Sequence, residues 1–162
     1  MAVIGIDPGT ALTGYGIIEE NADQTLHVLD YGVIRTQPGD KPEIRLCKLF
    51  KQLNKIISLY SPESSSVEKL YFQRNTTTAL SVGQARGVAI LSLAEAGVII
   101  NEYNPMEIKQ AVVGYGKATK KQVQEMVKII LSLDNIPQPD DAADALAVAI
   151  CHIHSRKIMS LK

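Results

Sequence analysis

Four acidic residues stand where they could work together: Asp7, Glu68, Asp141 and Asp144. Asp7 follows the short apolar run Ala2 to Ile6 and precedes the turn signal Pro8-Gly9. That puts it at the C-terminal end of a buried strand, where α/β sheets commonly carry their ligands. Glu68 ends a second short strand in the same way, after Val67. An acid at the end of an inner strand is costly to desolvate without a partner. Asp141 and Asp144 are three residues apart at the start of the last helix, a spacing that puts both on one helix face. The positive end of the helix dipole favours anions there. Each acid also has a plainer reading. Asp7 could cap the Pro-Gly turn, Glu68 could face solvent, and Asp140 or Asp141 could be an ordinary helix cap. Asp140 is read as a cap or bystander. Asp144 resists the plain reading, because it interrupts the small apolar segment from Ala142 to Ala149.

Converging carboxylates repel and raise one another's pKa unless a cation sits between them. A hard, all-oxygen donor set without Cys or His points to Mg²⁺, with Mn²⁺ as a substitute. Such a site suits in-line hydrolysis of a phosphodiester.

The elements that must position these acids follow from periodicity. After the first strand, Thr13 to Glu19 and His27 to Thr36 read as two more strands around the polar turn from Asn21 to Gln24, an antiparallel start. Apolar residues at Ile44, Leu46, Leu49, Phe50, Leu53, Ile56, Ile57 and Tyr60 predict a helix from Pro42 to Tyr60. Ser64 to Lys69 is a short strand, although three serines are polar for a central position. Asn75 or Thr76 opens a helix to about Ala96, stopped by Gly97. Val98 to Glu102 reads as another buried strand. Asn104, Pro105 and Glu107 open a short helix that Gly114 breaks; Thr119 and Gln122 form a capping box for one reaching Leu133. A last helix starts at Asp140 or Asp141. The order βββ-α-β-α-β-α-α-α predicts an α/β fold, a mixed sheet covered by helices.

The chain has 162 residues, 46% of them apolar, which suits one domain, 1–162, with residues 155–162 as a short basic tail. Cys47 and Cys151 lie far apart without metal-ligand spacing, and free thiols fit a reducing compartment. No signal peptide or membrane-spanning run is recognisable, so a cytoplasmic protein is expected. His152 and His154 are two apart, which is wrong for one helix face, so they are not read as ligands. The formal charge is zero, but residues 1–68 hold 6 basic and 9 acidic residues, and 69–162 hold 11 and 8. Lys109, Lys117, Lys120, Lys121 and Lys128 face the single acid Glu125 across 109–128. That stretch suits a phosphate-binding surface or a solvated helix face.

The motifs Ile4-Gly5-Ile6-Asp7-Pro8-Gly9-Thr10, Thr13-Gly14-Tyr15-Gly16, Val67-Glu68 with Tyr71-Phe72, Gly83-Gln84-Ala85-Arg86-Gly87, Ile108-Lys109-Gln110 and Asp141-Ala142-Ala143-Asp144 occur in this order over almost the whole chain. Their joint pattern resembles the RuvC Holliday-junction resolvases. The resemblance implies a ribonuclease-H-like fold with a mixed five-stranded sheet. It also implies a homodimer that nicks four-way junction DNA symmetrically with Mg²⁺, leaving 5′-phosphate and 3′-hydroxyl ends, in recombination and repair. It places the catalytic, metal-holding acids at Asp7, Glu68, Asp141 and Asp144, and DNA contacts at Tyr71, Phe72, Lys109 and Lys120. The RuvA–RuvB branch-migration complex is the implied partner. Neighbours on a strand face opposite ways, so one of the two rings is expected to stack on a base and the other to pack inward; Tyr71 is given the stacking role, with Phe72 as the alternative. Gly83 and Gly87 allow close helix approach, either at a dimer seam or against the protein's own sheet. The rival readings are an ATP-binding domain of the actin and sugar-kinase type, a non-catalytic junction binder, and a nuclease of the same fold acting on another nucleic acid.

Overall fold

The computed structural model describes residues 1–69 and 76–160, leaving out the side chains of 76, 77 and 158–160. The elements are β1 (Ala2–Asp7), β2 (Leu12–Glu20), β3 (Leu26–Arg35), α1 (Pro42–Tyr60), β4 (Ser64–Glu68), α2 (Thr76–Glu95), β5 (Ile99–Tyr103), α3 (Pro105–Val113), α4 (Lys120–Ile130) and α5 (Asp140–Ser160). The five strands form one mixed sheet in the order β3-β2-β1-β4-β5. β1, β2 and β3 pair antiparallel, while β4 joins β1 and β5 joins β4 in parallel.

Strand alternation sorts the core into two layers. Ile4, Ile6, Ile17 and Val67 point to α1 and α2, where Leu49, Leu53, Ile57, Ala85, Ala89 and Leu93 meet them. Val3 and Ile18 point the other way, to α3, α4 and α5. The same alternation sends Gly5 and Asp7 of β1 to the α5 face, together with Gly14 of β2, the partner of Asp7.

α5 lies on the middle of the sheet because both surfaces are small. A Cβ on Gly5 would overlap the Ala145 carbonyl, and one on Gly14 would overlap the Asp141 carbonyl. Helix backbone therefore rests on strand backbone. No bulkier residue at either strand position admits this approach.

Three expectations need correction. β5 is not a buried strand. It is the sheet edge, and Ile99 is 66% exposed. α4 ends at Ile130 rather than Leu133; Ser132 adopts a φ of 51°, which stops the helix. The basic tail foreseen from 155 is helix as far as Ser160. Glu20 of β2 receives Arg156 at 2.5 Å and Lys157 at 2.7 Å, which ties those turns to the sheet.

The three serines of β4 form a central strand after all, because each hydroxyl has a partner. Ser65 donates to the Ile99 carbonyl and Ser66 to the Val148 carbonyl, both at 3.0 Å, and Ser64 meets His152 Nε2 at 3.1 Å. The His152 ring is buried, and its Nδ1 lies 3.0 Å from the Tyr103 hydroxyl. Burial lowers its pKa, so it serves as a neutral core spacer. Cys47 and Cys151 are free thiols.

Candidate active site

The acids meet at the C-terminal ends of β1 and β4. The parallel register aligns Gly5 with Ser66 and Ile6 with Val67, so Asp7 and Glu68 are neighbours one step further along. Both share the parity of the α5-facing residues, since Ser66 bonds to α5 and Gly5 touches it. Contact between Gly14 and Asp141 delivers the first turn of α5 beside Asp7. One helical turn then presents Asp144. The local rules that set strand pleat, register and small-residue packing thus bring the four acids to one end of the sheet.

Their electrostatics bear this out. Burial, then the charges of Glu68, Asp144 and Asp141, push the Asp7 pKa from 3.8 up to about 8, against a smaller downward pull from Lys120. Asp7 is therefore a protonated carboxyl at neutral pH, and it shares a hydrogen bond with Glu68. Glu68 is itself raised, by burial first and then by Asp144, while Asp7, Lys109 and Lys120 act the other way. Burial also raises Asp144, against Lys120.

Two of the expected basic residues border the acids. Glu68, Lys109, Lys120 and Asp144 line one pocket of about 250 Å³, floored by Ile108, Val123 and Val148. The Lys120 ammonium lies 2.9 Å from Asp144 and 3.3 Å from Asp140. Burial works against the charge on Lys120, but its bonds to Asp144 and Asp140 outweigh that and raise its pKa. Asp140, set aside from sequence as a cap or bystander, is thus tied to the site through Lys120. A signal was available. Lys120 and Lys121 open α4, whose first turn holds no acid, although a helix N-terminus disfavours cations. Tyr71 and Phe72 lie outside the described residues, as does the cap position Asn75.

Among the described residues, no three ligating side chains already close around a single point. A proton between Asp7 and Glu68 and the Lys120 ammonium at Asp144 instead offset the negative charge. The donor set still fits a hard divalent ion. It is all oxygen, it carries more negative charge than its burial tolerates, and its lysine partner is on the rim.

A mixed β3-β2-β1-β4-β5 sheet whose two middle strands end in carboxylates under a crossing helix defines a nuclease of the ribonuclease-H-like fold. The RuvC family profile, described as crossover junction endodeoxyribonuclease RuvC, matches residues 3–152. The chain belongs to this family and is a DNA endonuclease, a hydrolase. A RuvC from Heliobacterium modesticaldum is 54% identical, over 96% of this chain and 95% of its own length. The RuvC structure from Thermus thermophilus superposes with a TM-score of 0.90 at 34% identity, covering 98% of this chain and 97% of that one. The T. thermophilus RuvC in complex with Holliday junction substrate gives 0.89 at 32% identity, over 98% and 96%. The ATP-binding alternative is set aside by this membership.

Among the described residues, a Cβ on Gly83 or Gly87 would meet nothing within 4 Å. Leu80 and Leu91 on the same helix are 71% and 54% exposed. Among the described residues, no helix is long and apolar enough to cross a membrane.

Proposed function

We propose that this RuvC-family chain resolves Holliday junctions, nicking two opposed strands symmetrically and leaving 5′-phosphate and 3′-hydroxyl ends. The observation that carries the proposal is the convergence of the half-buried Asp7, Glu68 and Asp144 from three elements, with Lys109 and Lys120 on the rim. Asp7, Glu68, Asp141 and Asp144 would hold Mg²⁺, with Mn²⁺ as a substitute, since oxygen-only donors suit either ion. The bound ion supplies Lewis acidity for in-line hydrolysis of a phosphodiester.

The chain's own residues supply the remainder. Lys109 and Lys120 meet the phosphates beside the scissile bond, and the low-dielectric floor of Ile108, Val123 and Val148 strengthens those contacts. Tyr71, with Phe72 as the alternative, stacks on an unpaired base. Symmetric cutting calls for a two-fold homodimer. The α2 face with Leu80, Gly83, Gly87 and Leu91 is the proposed seam, because its glycines are open and its leucines uncovered. The RuvA–RuvB complex as partner and the cytoplasm as location rest on family grounds alone.

The test is direct. With Mg²⁺, purified protein converts a synthetic four-way junction to nicked duplexes and spares a matched linear duplex. Asp7→Asn binds the junction and does not cut. An intact junction across varied metals and sequences would overturn the resolvase reading. Cleavage of an RNA–DNA hybrid in preference to the junction would instead favour the nuclease acting on another nucleic acid.

A further inference from the structure

Lys120 occupies an unfavourable place by local rules. It is the first residue of α4, directly after the cap Thr119, and Lys121 follows it. Positive charge at a helix N-terminus opposes the helix dipole. What holds the ammonium there is a pair of carboxylates on α5, Asp140 and Asp144, four residues apart on one helix face. The two carboxylates differ in setting. The Asp144 side chain is 28% exposed and belongs to the acidic site, whereas that of Asp140 is 53% exposed and stands on the rim.

A divalent ion and Lys120 compete for Asp144. Once an ion takes up that carboxylate, Asp140 still lies at ion-pair distance from the ammonium, at 3.3 Å. We propose that Asp140 is a positioning residue: it retains Lys120 at the mouth of the carboxylate site when a cation engages Asp144, and so keeps the ammonium in place for a DNA phosphate. The inference rests on the reading of Asp144 as a cation ligand. It gives Asp140 a role that acts wholly through Lys120, which separates it from an ordinary acid at a helix start.

Mn²⁺ binding to the DNA-free protein, followed by electron paramagnetic resonance, tests this with four proteins: wild type, Asp140→Asn, Lys120→Met and the double variant. Asp140→Asn leaves Lys120 leaning on Asp144 alone, so Mn²⁺ binding weakens by about two- to fivefold, the range of one exposed ion pair. Lys120→Met removes the competitor and tightens binding. In the Lys120→Met background, Asp140→Asn has no further effect. Asp140→Glu restores wild-type Mn²⁺ affinity. Asp140→Ser, which keeps a residue suited to a helix start, matches Asp140→Asn and serves if the asparagine variant folds poorly. The proposal is overturned if Asp140→Asn leaves Mn²⁺ binding unchanged. It is equally overturned if the loss is the same with and without Lys120, which would mark Asp140 as a bare charge near the site. Failure of the underlying reading looks different: Asp144→Asn would bind Mn²⁺ and cut junctions like wild type.

Discussion

Asp7→Asn has its clearest physical consequence in the protein held without a divalent cation. Burial and three neighbouring carboxylates raise the Asp7 pKa from 3.8 to about 8. The folded protein therefore keeps a proton that the unfolded chain releases near pH 4. Between those two values the folded state binds more protons, so stability falls as pH rises. The contribution is complete below about pH 4 and gone once pH passes about 8. At about 1.36 kcal/mol per pH unit, the interval from 3.8 to about 8 corresponds to on the order of 5 kcal/mol. Water penetration and rearrangement of the carboxyls relieve part of this, which leaves a loss of roughly 2–4 kcal/mol to be measured. Asn keeps the shape of the side chain, offers an amide N–H to Glu68 and never ionises. Urea unfolding with a chelator present should find the two proteins close in stability at about pH 4. At about pH 9 the variant should be the more stable by those roughly 2–4 kcal/mol. Saturating Mg²⁺ should close the gap by stabilising wild type. Parallel stability profiles across this range would refute the claim that Asp7 is a buried carboxyl repelled by its neighbours.

Gly14→Ala sets a methyl group against the Asp141 carbonyl, and overpacking of this kind costs about 1–3 kcal/mol. Thermal unfolding should show that loss and the junction assay a loss of cleavage; a stable, active variant would mean that α5 does not need the close approach. Lys109→Ala should weaken junction binding irrespective of sequence and flatten the dependence of log affinity on log salt by about one, and an unchanged slope would remove Lys109 from the phosphates. Tyr71→Ala should cost about 1–3 kcal/mol of stacking, read as reduced cleavage; loss with Phe72→Ala and none with Tyr71→Ala would exchange the two roles.

The element order and most boundaries could be read from sequence because the signals for them are local. Period 3.6 marks α1 and period 2 marks the strands, while Asn104 with Glu107 and Thr119 with Gln122 cap their helices as reciprocal boxes in the structure. What could not be read depends on partners distant in the chain. Val98 to Glu102 looks interior by composition, but whether a strand lies at the edge follows from sheet order. Ser66 looks too polar for a central strand until its acceptor at Val148 is known, 82 residues away. The turns beyond His154 look like a tail until Glu20 is seen to hold Arg156 and Lys157. The acids were readable as strand ends and a helix face, whereas their convergence required the β1–β4 register and the glycine contacts under α5. Asp140 escaped notice because its partner Lys120 opens a different helix.

The departures from local rules gather at one end of this sheet. Glycines stand in β1 and β2, where β-branched residues would form better strands. A half-buried carboxyl stands at Asp7 with its pKa pushed up to about 8. Lysines begin α4 against its dipole. Each feature lowers the stability of the protein alone, and each suits a site that takes a cation and a phosphate. A divalent cation among the acids would offset the repulsion that raises the Asp7 pKa. A phosphate at the rim would give Lys120 a counter-charge in place of the Asp144 carboxylate that a cation takes up. The glycines allow α5 close enough for Asp141 and Asp144 to face Asp7. Scattered imperfections in packing would share no such remedy. Their concentration where cation and phosphate chemistry meet is what sequence-level consistency leads one to expect of a functional site, and it argues for phosphodiester cleavage at this end of the sheet independently of any relative.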